Sequence, residues 1–283
     1  MNEIILGDCL EKMKDIPDNS IDLVITSPPY DNIEGAGYGK GTKDVLFLKL
    51  YSEFFGNILR EVHRVLKPTG QFYLNLKSGT IAKTLITPHW IEFLPEFKEF
   101  KLKSYIIWKY SGSFDSTKAR FHLDYEIIYH LSKTDDISIN YEDGEHDPLT
   151  SVWNIPHHIK DRLHPVQMPE LLAEKIIKRG SKEGEIVLDI FAGSGTSLVV
   201  AKRLSRKYIG FEINPKHYET IKERLQWIAV RISVRGNQFL GKCPIMNTVK
   251  DAICVTHGFL EMAEVGVYAV VLYWEEAREQ KVN

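Results

Sequence analysis

Residues 186–204 constrain the fold more than any other stretch. A short apolar run, Ile186-Val187-Leu188-Asp189-Ile190, meets Phe191-Ala192-Gly193-Ser194-Gly195-Thr196, and a helical pattern follows through Leu204. An apolar run that short, bounded by a turn, reads as a buried strand. Glycine at the turn lets the backbone reverse tightly and approach a neighbour or ligand closely. The unit is strand, turn, helix, and it recurs. Further strands are expected at 3–6, 21–25, 71–76, 105–109, 123–131 and 208–213. Helical spacing joins Leu48, Tyr51, Phe55, Ile58, Val62 and Val65, and stops at Lys67-Pro68-Thr69-Gly70. Another helix is expected over 169–179, with Pro169 at its start and Gly180 at its end. Asn214-Pro215 caps and opens the next, with Tyr218, Ile221, Leu225 and Ile228 on one face. Strands alternating with helices predict a doubly wound α/β sheet of mostly parallel strands.

Three segments break the pattern. Residues 31–44 are rich in glycine, lack apolar periodicity and read as a mobile loop. Residues 133–150 are polar and acidic, expected as a surface loop or small insertion. From residue 229 onward β-branched runs replace the strand–helix alternation, so the chain is read as a domain over 1–228 and an extension over 229–283.

Composition narrows the class without naming a function. The chain is 43% hydrophobic and 26% charged, with a net charge of −2. That is ordinary for a water-soluble domain. Cys9, Cys243 and Cys254 are too few for a disulfide framework and lack zinc-ligand spacing. His157, His158 and His164 have no acid or cysteine cluster to complete a metal site, so no metal is expected. The first residues carry no signal-peptide pattern, and no apolar run approaches the length of a membrane span. A cytoplasmic protein is expected, with no membrane partner, as a monomer or homodimer. Lys and Arg outnumber acids over 198–235 and 101–133, which suits phosphates as well as it suits solvated faces.

Two strings carry chemistry. In the turn after residues 186–190, Gly193 and Gly195 allow close approach, and the helix start offers free N–H groups. Glu212, at the end of the next strand, is an acid placed to take two ribose hydroxyls. Alone, a Gly-x-Gly turn is as consistent with simple strand–helix packing. Position 198 is Leu, so the third glycine of the dinucleotide fingerprint is missing, and no Walker Gly-Lys-Ser/Thr is present. The second string is Ser27-Pro28-Pro29-Tyr30, after the strand at 21–25. Its prolines lock the backbone and remove two donors. A hydroxyl and carbonyl oxygens remain, matched to an amine, and Tyr30 offers a face for a heterocycle.

Together the strings resemble the DNA amino-methyltransferases that use S-adenosylmethionine (AdoMet). Ser27-Pro28-Pro29-Tyr30 is similar to their target string, and Phe191-Ala192-Gly193-Ser194-Gly195 to their cofactor string. The order, target string first, resembles the beta class. Gly7-Asp8, Val152-Trp153-Asn154-Ile155-Pro156, His164-Pro165-Val166-Gln167-Met168-Pro169, and the hairpin Trp108-Lys109 with 120–133 also match. The resemblance implies a circularly permuted Rossmann-like methyltransferase fold, with a mostly parallel seven-stranded sheet and helices on both faces. It implies that Asp8, Gln167, Asp189, Phe191, Gly193, Ser194, Gly195, Thr196 and Glu212 bind AdoMet. It implies that Ser27, Pro28, Pro29 and Tyr30 hold the target base, flipped out of double-stranded DNA. The strand ending at Glu212 would lie beside the one ending at Asp8.

Serine at position 27 resembles the target string of the cytosine enzymes and so implies the N4 amine of cytosine, with adenine N6 as the alternative. A non-catalytic AdoMet-binding nucleic-acid module is an alternative of another class, opposed by intact Ser27, Tyr30 and Glu212. Carbon-5 methylation is disfavoured, because Cys243-Pro244 reverses the usual Pro-Cys order. A restriction–modification role is expected, with room for a cognate endonuclease acting on the same site. The DNA-reading segment would fall at 133–151, 78–104 or 229–283.

Overall fold

The computed structural model describes residues 2–28, 45–77, 80–81, 84–85, 90–110, 123–141, 149–157, 163–164, 167–234 and 237–244. In chain order the elements are β1 (Asn2–Leu6), α1 (Cys9–Met13), β2 (Ile21–Thr26), α2 (Val45–Val65), β3 (Leu66–Leu76), β4 (Thr80–Ile81) and β5 (Thr84–Leu85). Then come β6 (Lys101–Lys109), β7 (Tyr125–Ser132), β8 (Val152–Asn154), α3 (Glu170–Gly180), β9 (Ile186–Asp189), α4 (Thr196–Arg203), β10 (Lys207–Glu212) and α5 (Pro215–Gln226). β11 (Trp227–Val234) and β12 (Asn237–Pro244) complete the list. The chain divides into two compact units, Met1–Lys222 and Glu223–Asn283. In the second, β11 and β12 pair antiparallel, with Trp227 opposite Pro244.

The first unit holds an 8-stranded sheet in the order β1-β10-β9-β2-β3-β7-β6-β8. Only β7 runs against its neighbours; the remaining pairs are parallel. The α/β sheet expected from the sequence is therefore present, and β8 adds a three-residue edge strand beside β6. The strand order carries the permutation. β9 and β10 come late in the chain yet stand between the N-terminal strands β1 and β2, so the two halves of the sequence interlock.

Side chains alternate across the strands, as the pleat requires. Val24, Phe72 and Leu74 join a buried cluster with Met13 of α1 and Phe55, Ile58 and Val62 of α2. Burying each such side chain stabilises the fold by roughly 1.5–3 kcal/mol. The other face receives α3 and α4. A methyl group on Gly180 would stand 2.8 Å from Leu23 Cδ1 and 3.0 Å from Tyr73 Cε2, so α3 approaches β2 and β3 through a residue without a side chain. Arg64 ties the first face together, donating to the carbonyls of Ile16 and Met13 at 2.8 and 2.7 Å and to Glu61 Oε2 at 2.8 Å.

One expectation needs revision. The helix opened by Asn214-Pro215 ends at Gln226, so Ile228 lies in a strand rather than on the helix face. The run Ile228-Ala229-Val230-Arg231-Ile232-Ser233-Val234 alternates and is β-branched, and that period prevails over the helical one. The described part of the acidic segment, 133–141, is the surface loop expected, and it is anchored as a strap. Lys133 Nζ donates to Asn19 Oδ1 at 2.6 Å and Thr134 Oγ1 to the Pro68 carbonyl at 2.9 Å. Asn140 Nδ2 donates to the Ser181 carbonyl at 2.6 Å. Asn19, Pro68 and Ser181 all precede or begin parallel strands. The strap therefore crosses the entry end of the sheet. The glycine-rich loop at 31–44 lies outside the described residues. Among the described residues, no helix is long and apolar enough to cross a membrane.

Candidate active site

In an open α/β sheet the loops beyond the carboxyl ends of the strands form the crevice where ligands bind. Here β1, β10, β9, β2 and β3 end side by side at Leu6, Glu212, Asp189, Thr26 and Leu76. Leu6 is in register with Glu212, and the Gly7 amide donates to the Glu212 carbonyl at 3.0 Å. That places Asp8 next to Glu212, as the permuted order requires. Asp8 is exposed and caps α1, its Oδ1 accepting from the amides of Leu10 and Glu11 at 2.8 and 3.3 Å.

Glu212 organises the glycine turn. Its carboxylate accepts from the Gly193 amide at 2.8 Å through Oε2 and from the Asn214 amide at 2.8 Å through Oε1. The Asn214 side chain caps α5 by accepting from the Lys216 amide at 2.9 Å. Glu212 is only 8% exposed. Each oxygen has a second acceptor position, so the group can still receive a pair of hydroxyls. Gly193 and Gly195 have φ of +55° and +73°, in the left-handed region. A methyl group on Gly195 would lie 2.7 Å from Ile221 Cγ2. Ser194 and Thr196 are buried with hydroxyl oxygens 3.4 Å apart, and Phe191 is half-buried beside Phe54, ring centres 6.4 Å apart.

Asp189 joins the two strings. Its buried carboxylate accepts from Thr26 Oγ1 at 2.9 Å, from the Phe191 amide at 3.1 Å and from the Ser197 hydroxyl. Burial raises its pKa to about 6, with hydrogen bonds from Ser197, Phe191 and Thr26 opposing the rise. Thr26 immediately precedes Ser27, so the start of the target string is bonded to the base of the cofactor string. Ser27 is half-buried and its Oγ accepts from Asn75 Nδ2 at 3.4 Å; Pro28 is buried. Pro29 and Tyr30 lie outside the described residues.

Gln167 holds the His-Pro stretch in place. Its Oε1 accepts from the Leu163 amide at 2.9 Å, and its own amide donates to the His164 carbonyl at 3.3 Å. The His164 ring stands 3.7 Å from the point a Gly193 Cβ would occupy. It meets His217 edge-on with centres 4.6 Å apart. Burial, with His217 adding, pushes His164 down to about 4, so it is neutral at pH 7. Pro165 and Val166 lie outside the described residues. Trp153 is core, donating to the Thr150 carbonyl at 2.8 Å. His157 packs against Trp108 and Tyr110. Among the described residues no group of acids, histidines and cysteines is placed to hold a metal. The Cys9 thiol, pushed up to about 12 by burial and Asp8, is no nucleophile.

Two residues beside the strings, Asn75 and Glu126, have no place in the sequence reading, and His164 enters it only as a rejected metal ligand. Asn75 and Glu126 are polar residues inside strongly apolar strands, which is the one local signal that marked them.

Comparison with known proteins agrees with this geometry. The family model described as DNA methylase, of the N6/N4 type, matches residues 21–223. The chain is 34% identical to the type II methyltransferase M.HpaI of Haemophilus parainfluenzae, over 78% of this chain and 73% of that one. It is 32% identical to the DNA adenine methyltransferase YhdJ of Escherichia coli strain K12, over 78% and 82%. In fold it is similar to the cytosine-N4-specific PvuII DNA methyltransferase, with a TM-score of 0.69, 24% identity, and 79% and 86% of the two chains covered. It is also similar to M1.HpyAVI in complex with SAM, at a TM-score of 0.58, 23% identity, and 80% and 99% covered. A matching family model across most of the chain, a permuted sheet and Ser27 set beside the glycine turn lead to one conclusion: this chain belongs to the N6/N4 DNA methylase family, in its beta-class arrangement.

Proposed function

We propose that the chain transfers a methyl group from AdoMet to the N4 amine of cytosine in double-stranded DNA, as the modification half of a restriction–modification pair. The observation that carries this reading is the bond from Thr26 to Asp189, which sets the amine-accepting string against the glycine turn.

The turn fits AdoMet. Glu212 keeps acceptor positions for the two ribose hydroxyls, and Asp8 stands one strand over for the adenine. Gly193, Ser194, Gly195 and Thr196 form the tight turn into α4, and the positive end of that helix suits the carboxylate of the methionine end. Asp189 and Phe191 shape that turn from below, and Gln167 fixes the stretch beside it. AdoMet, when bound, supplies a methyl group on a positively charged sulfur.

The chain's own residues prepare the amine. Its lone pair is conjugated into the ring and is a poor nucleophile. The Ser27 hydroxyl and the Pro28 carbonyl accept its hydrogens and favour a tetrahedral nitrogen. Tyr30 stacks on the flipped base and holds it flat. Proximity and orientation then provide much of the acceleration, and no covalent enzyme intermediate is needed.

Adenine N6 is the second reading, favoured by the likeness to YhdJ, a DNA adenine methyltransferase. Transfer of tritiated methyl groups to unmethylated DNA, followed by nucleoside separation, tests both. Label in N4-methylcytosine supports the first reading and label in N6-methyladenine the second. Unlabelled DNA alongside intact AdoMet binding overturns both.

A further inference from the structure

Beside Ser27 lies a buried polar group whose bonding is incomplete. Asn75 is 4% exposed, next to the end of β3. Its Nδ2 donates to Glu126 Oε2 at 2.8 Å and to Ser27 Oγ at 3.4 Å. Its Oδ1 is buried and has no hydrogen-bond partner among the described residues. The amide cannot be turned over to remedy this, because Oδ1 would then face the Glu126 carboxylate, acceptor against acceptor. Leaving such an oxygen unsatisfied is unfavourable, so it calls for a reason.

The sheet register explains why these residues meet. Thr26 is paired with Leu74, which brings Ser27 alongside Asn75. Asn75 is opposite Ile128 on the antiparallel β7, with Glu126 two residues earlier on the same face. Glu126 is 5% exposed and also bonded to the Tyr110 hydroxyl, whose pKa is raised well above the tyrosine norm mainly by burial and then by Glu126. Glu126 therefore anchors Asn75 from behind, and Asn75 reaches Ser27. The end of β3 is the crevice end, the same end that carries Ser27.

Resting on the function proposed above, we infer that Asn75 belongs to the base pocket. Its Oδ1 shares with Ser27 Oγ one of the two hydrogens of the target base's exocyclic amine, the Pro28 carbonyl taking the other, while Glu126 is a positioning residue that fixes the amide's orientation. A ring nitrogen of the base cannot satisfy Oδ1, since an unprotonated ring nitrogen is itself an acceptor. An amine can. Asn75 would thus read the amine, the feature cytosine and adenine share, and reject a base that lacks it.

The test compares duplexes holding cytosine at the methylated position with duplexes holding pyrimidin-2-one, which lacks the amine. Purine replaces adenine in the same design if the labelled base is adenine. Relative to Asn75→Leu, wild type is expected to favour the amine-bearing duplex about tenfold, the order of one hydrogen bond to a buried group, the easier flipping of the amine-free base being common to both proteins. Asn75→Leu should lose that preference, with binding of the pyrimidinone duplex and AdoMet affinity changed less than threefold. Asn75→Leu leaves Glu126 with fewer partners, so Asn75→Leu/Glu126→Gln is measured beside it, with circular dichroism confirming the fold. If both variants retain the amine preference while wild type methylates DNA, this inference is wrong and the methylation reading stands. If wild type labels no DNA amine, both fall.

Discussion

Replacing Gly195 with alanine should damage the protein through two separable effects. The first is conformational. Gly195 has φ of +73°, where a Cβ costs about 1–2 kcal/mol. The second is steric. The new methyl group would sit 2.7 Å from Ile221 Cγ2 and 2.9 Å from Cγ1. Those atoms branch close to the backbone and cannot swing aside, so overpacking adds about 1–3 kcal/mol. Gly184 separates the effects. It has φ of +79° but nothing within 4 Å of its Cβ position, so Gly184→Ala should pay only the conformational cost. Gly193, at φ of +55° with His164 at an ordinary 3.7 Å, should behave like Gly184 in stability. Urea unfolding of the three alanine variants is expected to rank Gly195→Ala as clearly the worst. Combining it with Ile221→Ala should recover about 1–3 kcal/mol relative to the sum of the single effects. Equal losses at Gly184 and Gly195, or strict additivity with Ile221→Ala, would refute the packing of the turn on Ile221.

Other expectations follow from the same contacts. Because burial lifts Asp189 from 3.8 to about 6, the fold holds its proton more tightly than the unfolded chain. That stability is complete below pH 3.8 and is lost as pH rises through about 6, amounting to roughly 3 kcal/mol relative to Asp189→Asn. Urea midpoints from pH 4 to 7 measure it, and a flat difference between the two proteins contradicts it. Glu212→Gln should weaken AdoMet binding about tenfold or more, since bonds to an ionised acceptor are worth about 1.5–3 kcal/mol. Calorimetry showing unchanged affinity removes Glu212 from the cofactor site. Tyr30→Ala should cost about 1–3 kcal/mol of base stacking and lower turnover, with AdoMet affinity little changed. Parallel loss of AdoMet binding would refute that division of roles.

Much of the site could be read from local pattern. The strand–glycine–helix unit at β9 and α4, the Asn214 cap and the acid ending β10 each leave a signature within a few residues. The pairing of β1 with β10 came from the resemblance, and the register between Leu6 and Glu212 matches it. Other features had no local trace. Asn75 and Glu126 stand on different strands and meet only through the antiparallel register of β3 and β7. The strap at 133–141 looked like an insertion because its composition is polar; its backbone and side-chain anchors are long-range. β8 is three residues long, too short for a period to show, and exists because β6 offers it an edge. Ile228 fits a helical face and a β-branched run equally well, and the neighbouring residues decide in favour of the strand.

The central claim is that an acceptor-lined pocket beside an AdoMet turn methylates a DNA amine. Expressing the chain in a methylation-deficient bacterial host and sequencing the genomic DNA for modified bases tests it most directly. N4-methylcytosine confined to one short sequence motif is the predicted result. Unmodified DNA from cells holding folded, AdoMet-binding protein, or methylation at carbon 5 of cytosine, would contradict it.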